Sequence, residues 1–130
     1  MRMLSPLRKR EWRIIYKNWK VKQGDIWWAE LNPAKGREQA GSRPVLIISG
    51  NLLNENTDVV IVCPLTTKLK RYHGNLILEA SDQNGLTETS EVSTWQIRTV
   101  AKLRLTEKIG AIPTIEVEKV HHTLNDILKF

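Results

Sequence analysis

The stretches "PVLIIS" (residues 44–49) and "DVVIVCPLTT" (residues 58–67) decide the fold of this 130-residue chain. Both are rich in β-branched residues and nearly free of polar interruption, which is typical of central strands. A short connection joins them, so we expect the two strands to be neighbours in one sheet. Pro64 is expected to break the hydrogen-bond ladder of the second strand, because proline has no backbone N–H to donate.

Three further segments have the length and composition of strands: "GDIWWAEL" (24–31), "GNLILEA" (74–80) and "EVSTWQIRTVAKLRL" (91–105). In the first, Trp27 and Trp28 point to opposite faces. One of them is expected in the core and the other under a loop or at a subunit contact. A turn is predicted around Asn84 and Gly85. Many short strands at close spacing predict a small, strongly bent β-barrel.

The chain ends in a predicted amphipathic helix. Thr114 follows Pro113 and is a suitable N-cap, with acidic residues in the first turn and Lys129 near the last. The apolar residues that recur along this segment are Ile115, Val120, Leu124, Ile127 and Leu128. The fold class predicted from these patterns is therefore mainly β, a small barrel with one packed C-terminal α-helix.

The positive charge of the chain is concentrated at its beginning. Of the formal net charge of +6, all is accounted for by residues 1–20, which hold seven basic residues and one acidic residue. Residues 1–20 are therefore interpreted as a basic N-terminal extension and residues 21–130 as the folded domain. The extension fits a helix docked on the domain, a tail that contacts nucleic acid, or residues that precede the true start. The neutral charge of the domain does not indicate its ligand.

Composition indicates the cellular compartment of the protein and its need for a membrane span or a metal. A single cysteine, Cys63, excludes an internal disulfide and favours a reducing cytoplasm, and we expect it to be a buried apolar residue. No apolar run approaches the roughly 18 residues that a membrane span needs, and no secretory signal is recognisable. His73, His121 and His122 lack the spacing of metal ligands. The sequence thus predicts a soluble cytoplasmic protein without a metal or another cofactor.

A polar loop stands directly before the first central strand. In "EQAGSRP" (residues 38–44), Pro44 restricts Arg43 to an extended conformation and so limits the arc of its side chain. A guanidinium aimed in this way suits the binding of a phosphate group. The alternative is an arginine that only pairs with Glu38 on a solvated surface.

Two more polar clusters follow in the chain. Thr66, Thr67 and Lys68 come after Pro64, and antiparallel pairing of the two central strands would place Thr66 beside Arg43. In "WQIRT" (95–99), strand alternation would put Gln96 and Arg98 on one face, where they suit a base edge and a phosphate. Ordinary solvated strand ends are the alternative interpretation of both clusters.

Together the motifs "GDI", "EQAG-x-RP", "P-x-T" and "Q-x-R-T" resemble the MazF/PemK family of type II toxin–antitoxin systems over residues 22–130. The resemblance implies a homodimeric SH3-like barrel with a C-terminal helix. It implies a metal-free endoribonuclease that cuts single-stranded RNA at short preferred sequences. It also implies a partner, an antitoxin whose tail covers the RNA groove.

The resemblance assigns roles to individual residues. Arg43 and Thr66 match the catalytic arginine and threonine of the family, and Glu38 matches a loop glutamate proposed as a general base. The RNA-binding residues implied by the resemblance and its neighbouring polar positions are Gln39, Ser42, Thr67, Lys68, Gln96 and Arg98. Two positions depart from the family pattern: Arg37 replaces a histidine found in some members, and Trp95 an acidic residue. We expect Trp95 to be a partly buried strand residue, with stacking on a base as the alternative.

These departures keep two other functions open. A degenerate homologue would bind RNA or its antitoxin on the same groove without cleaving. A related barrel fold also serves toxins that act on DNA gyrase, although the "EQAG-x-RP" loop and the "Q-x-R-T" strand favour RNA as the target.

Overall fold

The computed structural model describes residues 20–31 and 41–129. Its strands are β1 (Asp25–Glu30), β2 (Ser42–Ile47), β3 (Val59–Thr66), β4 (Ile77–Leu78), β5 (Ser90–Val92), β6 (Arg98–Ala101) and β7 (Leu105–Ala111). Its helices are α1 (Asn51–Asn56) and α2 (Thr114–Lys129), and two short 3-10 helical turns cover Thr94–Gln96 and Lys102–Arg104. The basic extension lies outside the described residues except for Lys20.

The described strands form one bent sheet in the order β4-β5-β3-β2-β1-β7, with β6 paired to β3. β3 is the centre: β2 runs antiparallel along one edge, and β5 and β6 share the other edge. The two central strands are therefore neighbours, as predicted. The mainly β half-barrel with a C-terminal helix confirms the predicted fold class.

Both faces of this sheet are buried. Leu46 and Cys63 pack into a cluster that includes the apolar side of α2, whereas Val45 and Val62 pack into a second cluster on the other face. A strand covered on both sides cannot alternate apolar and polar residues, which explains the continuous apolar runs of β2 and β3. Trp27 is buried and Trp28 is 39% exposed, so the prediction that they face opposite ways is confirmed.

Helix α2 begins at Thr114 as predicted, but its buried stripe differs from the expected one. The buried residues are Val117, Val120, Thr123 and Leu124. Ile115, Ile127 and Leu128 were expected in the stripe, yet they are 65%, 43% and 72% exposed. Ile115 lies about 200° around the helix from Val117, and the other two lie in the last turn, outside the core cluster.

Pro64 does not end β3. The strand continues to Thr66, with Pro64 opposite Val45 of β2 and the next two residues paired with β5. The expected break is therefore wrong: the missing N–H falls where the strand changes its pairing. The carbonyl oxygen of Pro64 still accepts a hydrogen bond from the Ser93 amide at 2.8 Å.

A glycine fixes the turn before β5. Gly85 has a φ of 70°, and a Cβ atom built on it would lie 2.2 Å from the carbonyl oxygen of Ile109 in β7. The amide oxygen of Asn84 accepts hydrogen bonds from the backbone N–H groups of Ser81 and Leu86. The turn predicted at Asn84 and Gly85 is confirmed, and it packs directly on β7.

No helix among the described residues is long and apolar enough to cross a bilayer.

Candidate active site

A groove of about 460 Å³ opens at the end of the sheet where β2 begins and β3 ends. Its lining comes from both of these strands, from Trp28 of β1, from Ile109 of β7 and from the segment that leads into β5. Among the lining residues are five of the predicted site residues: Ser42, Arg43, Thr66, Thr67 and Lys68. Residues from two polar motifs more than 20 positions apart therefore meet in one groove.

Arg43 reaches the groove from an ordinary strand position. Its backbone lies in β2 opposite Ala29 of β1, and its side chain is exposed. The β2–β3 pairing ends at Val45 and Pro64, and Arg43 and Thr66 each lie two residues beyond that pair at the same end of the sheet. This is the antiparallel arrangement predicted from the sequence. Within the described part of the chain the guanidinium has no carboxylate within ion-pair distance. It is thus free of those carboxylates and available to an anion in the groove.

Thr66 ends β3 and presents a hydroxyl to the same groove. Its Oγ1 accepts a hydrogen bond of 3.1 Å from the backbone N–H of Lys68, which caps the turn after the strand. Because Oγ1 accepts this bond, its own O–H can still be donated to a ligand. Thr67 and Lys68 are exposed on the same turn and line the groove, so they add a hydroxyl and an ammonium group to its polar surface.

Glu91 of β5 is directly opposite Thr66 in the strand pairing and is 1% exposed. Burial alone would raise the pKa of this carboxyl. Hydrogen bonds from the Asn75 side chain and from the backbone of Arg71, Lys70 and Tyr72 outweigh burial and lower its pKa below the usual value. Glu91 is therefore ionised at neutral pH inside the protein, next to the strand end that carries Thr66.

Gln96 and Arg98 do not belong to one strand, and that prediction is wrong. Thr94–Gln96 form a 3-10 helical turn that contacts β3 and α2, and β6 begins only at Arg98. Gln96 is exposed, whereas Arg98 is half-buried and donates from Nη2 to the carbonyl oxygen of Leu31 at 3.1 Å. Neither lines the groove: Arg98 pairs with Val62 on the edge of β3 away from β2, and Gln96 lies on the turn just before β6.

Trp95 also differs from expectation. It was predicted to be partly buried in a strand, but it is 57% exposed on the 3-10 helical turn. An accessible aromatic face beside Gln96 is what the alternative interpretation, stacking on a base, requires.

Glu38 and Gln39 lie outside the described residues, so the structure neither brings them to the groove nor separates them from it. Conversely, several lining residues were missed by sequence reasoning: Trp28, Thr87, Glu88 and Ser90. Only the long-range pairing of β5 with β3 brings the segment 87–90 to this groove, and no local pattern signals that pairing. The sole hint was the adjacent turn at Gly85.

Cys63 is fully buried, and desolvation raises the pKa of its thiol to about 12. It is therefore an unreactive apolar residue, as predicted. His121 is held on α2, its Nε2 lying 3.1 Å from the carbonyl oxygen of Ile48. Among the described residues no three His, Cys, Asp or Glu side chains form a group that could hold a metal ion.

Comparison with known proteins assigns this chain to a family. Residues 22–128 match the family described as PemK-like, MazF-like toxin of type II toxin–antitoxin system. The chain is 34% identical to Endoribonuclease EndoA of Bacillus subtilis over 105 residues, which cover 80% of this chain and 90% of that protein. It is 32% identical to Endoribonuclease toxin MazF of Escherichia coli K12 over 81 residues, covering 61% and 73% of the two chains.

A solved structure agrees with this result. The MazE–MazF structure (Form-II) from Deinococcus radiodurans superposes with a TM-score of 0.71 at 26% identity, covering 85% of this chain and 96% of that chain. A small bent β sheet with a C-terminal helix is the architecture that this chain shares with MazF. This chain belongs to the PemK-like, MazF-like toxin family of type II toxin–antitoxin systems.

Proposed function

We propose that this chain is a sequence-selective, metal-independent endoribonuclease toxin that cleaves single-stranded RNA. The observation that carries the proposal is the meeting of Arg43 and Thr66 in one open groove, beside the cation of Lys68. The relatives in Bacillus subtilis and Escherichia coli are endoribonucleases by name, which supports the same activity. We further propose that the substrate is messenger RNA and that the protein acts in the cytoplasm.

RNA supplies its own nucleophile, so the groove needs no reactive serine or cysteine. The 2′-oxygen attacks the adjacent phosphorus as its proton passes to a base, the bond to the 5′-oxygen breaks, and the leaving 5′-oxygen takes a proton from water. The products are a 2′,3′-cyclic phosphate and a 5′-hydroxyl. The protein must hold the 2′-oxygen in line and stabilise the charge that accumulates on the phosphorane oxygens. DNA lacks the 2′-hydroxyl and could bind but not react by this route.

Arg43 and Thr66 divide this task. A guanidinium remains protonated near neutral pH, so Arg43 acts by fixed charge and directed N–H donors rather than by giving up a proton. The Thr66 hydroxyl donates one more hydrogen bond to the same oxygens. Glu38, assigned by the family resemblance, is the proposed base that accepts the 2′-hydroxyl proton.

RNA on either side of the cleaved bond would follow the polar surface around β3. Ser42, Thr67 and Lys68 line the groove itself, and Gln39 is assigned to it by the family resemblance. Arg98 pairs with Val62, four residues before Thr66 in β3, and Trp95 and Gln96 are exposed on the turn just before it. Such a separation suits contacts to neighbouring nucleotides, which would make cleavage selective for sequence.

Partners follow from the family as well. We propose that the chain acts as a homodimer and is inhibited by a cognate antitoxin that occupies the groove. The structure from Deinococcus radiodurans supports a protein partner, since it contains MazE together with MazF. An antitoxin with an acidic tail would place carboxylates near Arg43 and Lys68 and so compete with RNA phosphates.

Thr66→Val tests the role assigned to the hydroxyl. Valine keeps the shape of the side chain and removes the donor, so we expect kcat to fall by about 10- to 100-fold. KM should change little, because the bond strengthens mainly in the transition state. Single-turnover cleavage of an end-labelled RNA measures this effect. Thr66→Ser is the matched control and should retain most of the activity; equal losses in both variants would remove the hydroxyl from the mechanism.

A further inference from the structure

A basic loop, residues 68–75, leads from β3 to β4. Lys68, Lys70 and Arg71 are exposed on it, and the loop contains no acidic residue. None of the three cations forms an ion pair within residues 20–31 and 41–129. Lys68 lines the groove, so the loop begins at the edge of the candidate active site.

The loop is held from inside by the buried carboxylate of Glu91. Oε1 accepts hydrogen bonds from the backbone N–H groups of Lys70 and Arg71 at 2.7 and 2.8 Å. Oε2 accepts one from the Tyr72 N–H at 3.1 Å and one from the Asn75 side-chain amide at 2.8 Å. Three consecutive backbone donors therefore converge on one side chain, as in an anion-binding nest.

Two further features show that the loop has a defined conformation. Arg71 has a φ of 55°, a left-handed backbone that non-glycine residues adopt only when their surroundings impose it. The Thr123 hydroxyl of α2 donates to the carbonyl oxygen of Gly74 at 2.5 Å and fastens the far end of the loop. Because the N–H groups point inward to Glu91, the side chains of Lys70 and Arg71 are left for the solvent.

This arrangement lies immediately beside the catalytic threonine. Glu91 is the strand partner of Thr66, so the carboxylate that anchors the loop and the hydroxyl that serves the groove are on paired residues. If the carboxylate were absent, the loop donors would lose their acceptor and the cations would no longer have fixed positions. The charge of the cations would remain, but its preorganisation would not.

We propose that Glu91 is a positioning residue whose carboxylate holds the basic loop as a preformed binding surface for RNA phosphates next to Thr66. This inference rests on the proposed RNA-cleaving function and extends it. An acidic side chain thereby strengthens binding to a polyanion. The proposal therefore predicts that removing the negative charge of Glu91 weakens RNA binding. If Glu91 acted only through its charge, removing that charge would favour RNA binding.

Glu91→Gln is the decisive variant because it preserves size but leaves one oxygen for four donors. We expect its affinity for a fluorescent, uncleavable 2′-O-methyl RNA to fall about tenfold or more at low salt. The slope of log K against log salt should become shallower by about 2, as expected if three cations no longer contact single-stranded phosphates. KM for cleavable RNA should rise while kcat changes little, which a general loss of structure would not produce.

Two comparison variants complete the experiment. Glu118→Gln on α2 makes the same chemical and charge change at an exposed position and should leave affinity unchanged or slightly higher. A triple variant, Lys68→Gln with Lys70→Gln and Arg71→Gln, should reproduce the shallower salt slope. Adding Glu91→Gln to the triple variant should cost no further affinity, because both changes remove the same contacts. If Glu91→Gln does not fold, Asn75→Ala should show a smaller loss in the same direction.

The outcomes separate this inference from the proposed function. Wild type that binds RNA with the expected salt dependence, together with unchanged binding by folded Glu91→Gln, would overturn the inference alone. A loss confined to kcat would also overturn it, since Glu91 would then act on Thr66 rather than on the loop. Wild type that binds no RNA at any salt concentration would overturn the proposed function and the inference with it.

Discussion

Replacing Arg43 with alanine is expected to lower RNA cleavage by at least about 100-fold and to leave the protein folded. Arg43 is the one arginine among the described residues that line the groove, and its side chain is exposed. Alanine removes the fixed charge that opposes the negative charge of the transition state. It removes no buried contact, so the thermal midpoint should stay within a few degrees of wild type.

Two variants sharpen this test of Arg43. Arg43→Lys keeps a positive charge but loses the planar pair of donors, so its activity should lie between those of wild type and Arg43→Ala. Lys119→Ala on α2 removes an exposed cation that does not line the groove and should leave cleavage unchanged. Wild-type rates in folded Arg43→Ala would show that Arg43 has no part in the chemistry.

Gly85→Ala is expected to have the largest effect on stability. Alanine at a φ of 70° is strained by about 1–2 kcal/mol, and its Cβ would lie 2.2 Å from the Ile109 carbonyl oxygen, so the backbone must move. We expect the free energy of unfolding to fall by at least about 3 kcal/mol, a loss found only where a specific feature is broken. Urea denaturation at fixed protein concentration measures it.

Two other glycines provide the controls for this prediction. Gly50 has a φ of −70°, and a Cβ atom there would have no neighbour within 4 Å, so Gly50→Ala should change stability by less than about 1 kcal/mol. Gly74 has a φ of 86° but a closest neighbour at 3.1 Å, a methyl group, so Gly74→Ala should fall between the two. Similar stability for all three variants would contradict the packing described for the Gly85 turn.

The fold could be predicted because its decisive residues act locally. Val45 to Ile48 and Val59 to Val62 are apolar on both faces, and this pattern has few solutions other than central strands. Helix α2 could also be predicted, since Val120 and Leu124 recur at helical spacing after a proline. Its exposed Ile115 shows the limit of such patterns, because the buried arc of a helix depends on what packs against it.

The candidate site could be predicted only in part, because the placement of its residues also depends on contacts between distant segments of the chain. Arg43 and Thr66 could be placed together because adjacent antiparallel strands fix their separation. Gln96 and Arg98 could not, because alternation within one strand does not reveal that a 3-10 helical turn ends between them. No pattern marks Glu91 as buried, since the four donors that hold it are 16 or more positions away in the chain.

The central claim is that this groove cleaves RNA by attack of the 2′-hydroxyl without a metal ion. The most direct measurement incubates the purified protein with a mixed-sequence single-stranded RNA in excess EDTA and determines the sequence and chemistry of the new ends. The account predicts cuts at one short motif, with 2′,3′-cyclic phosphate and 5′-hydroxyl ends that disappear with Arg43→Ala. Folded wild-type protein that leaves the RNA intact, or that cuts only when Mg²⁺ is added, would contradict it.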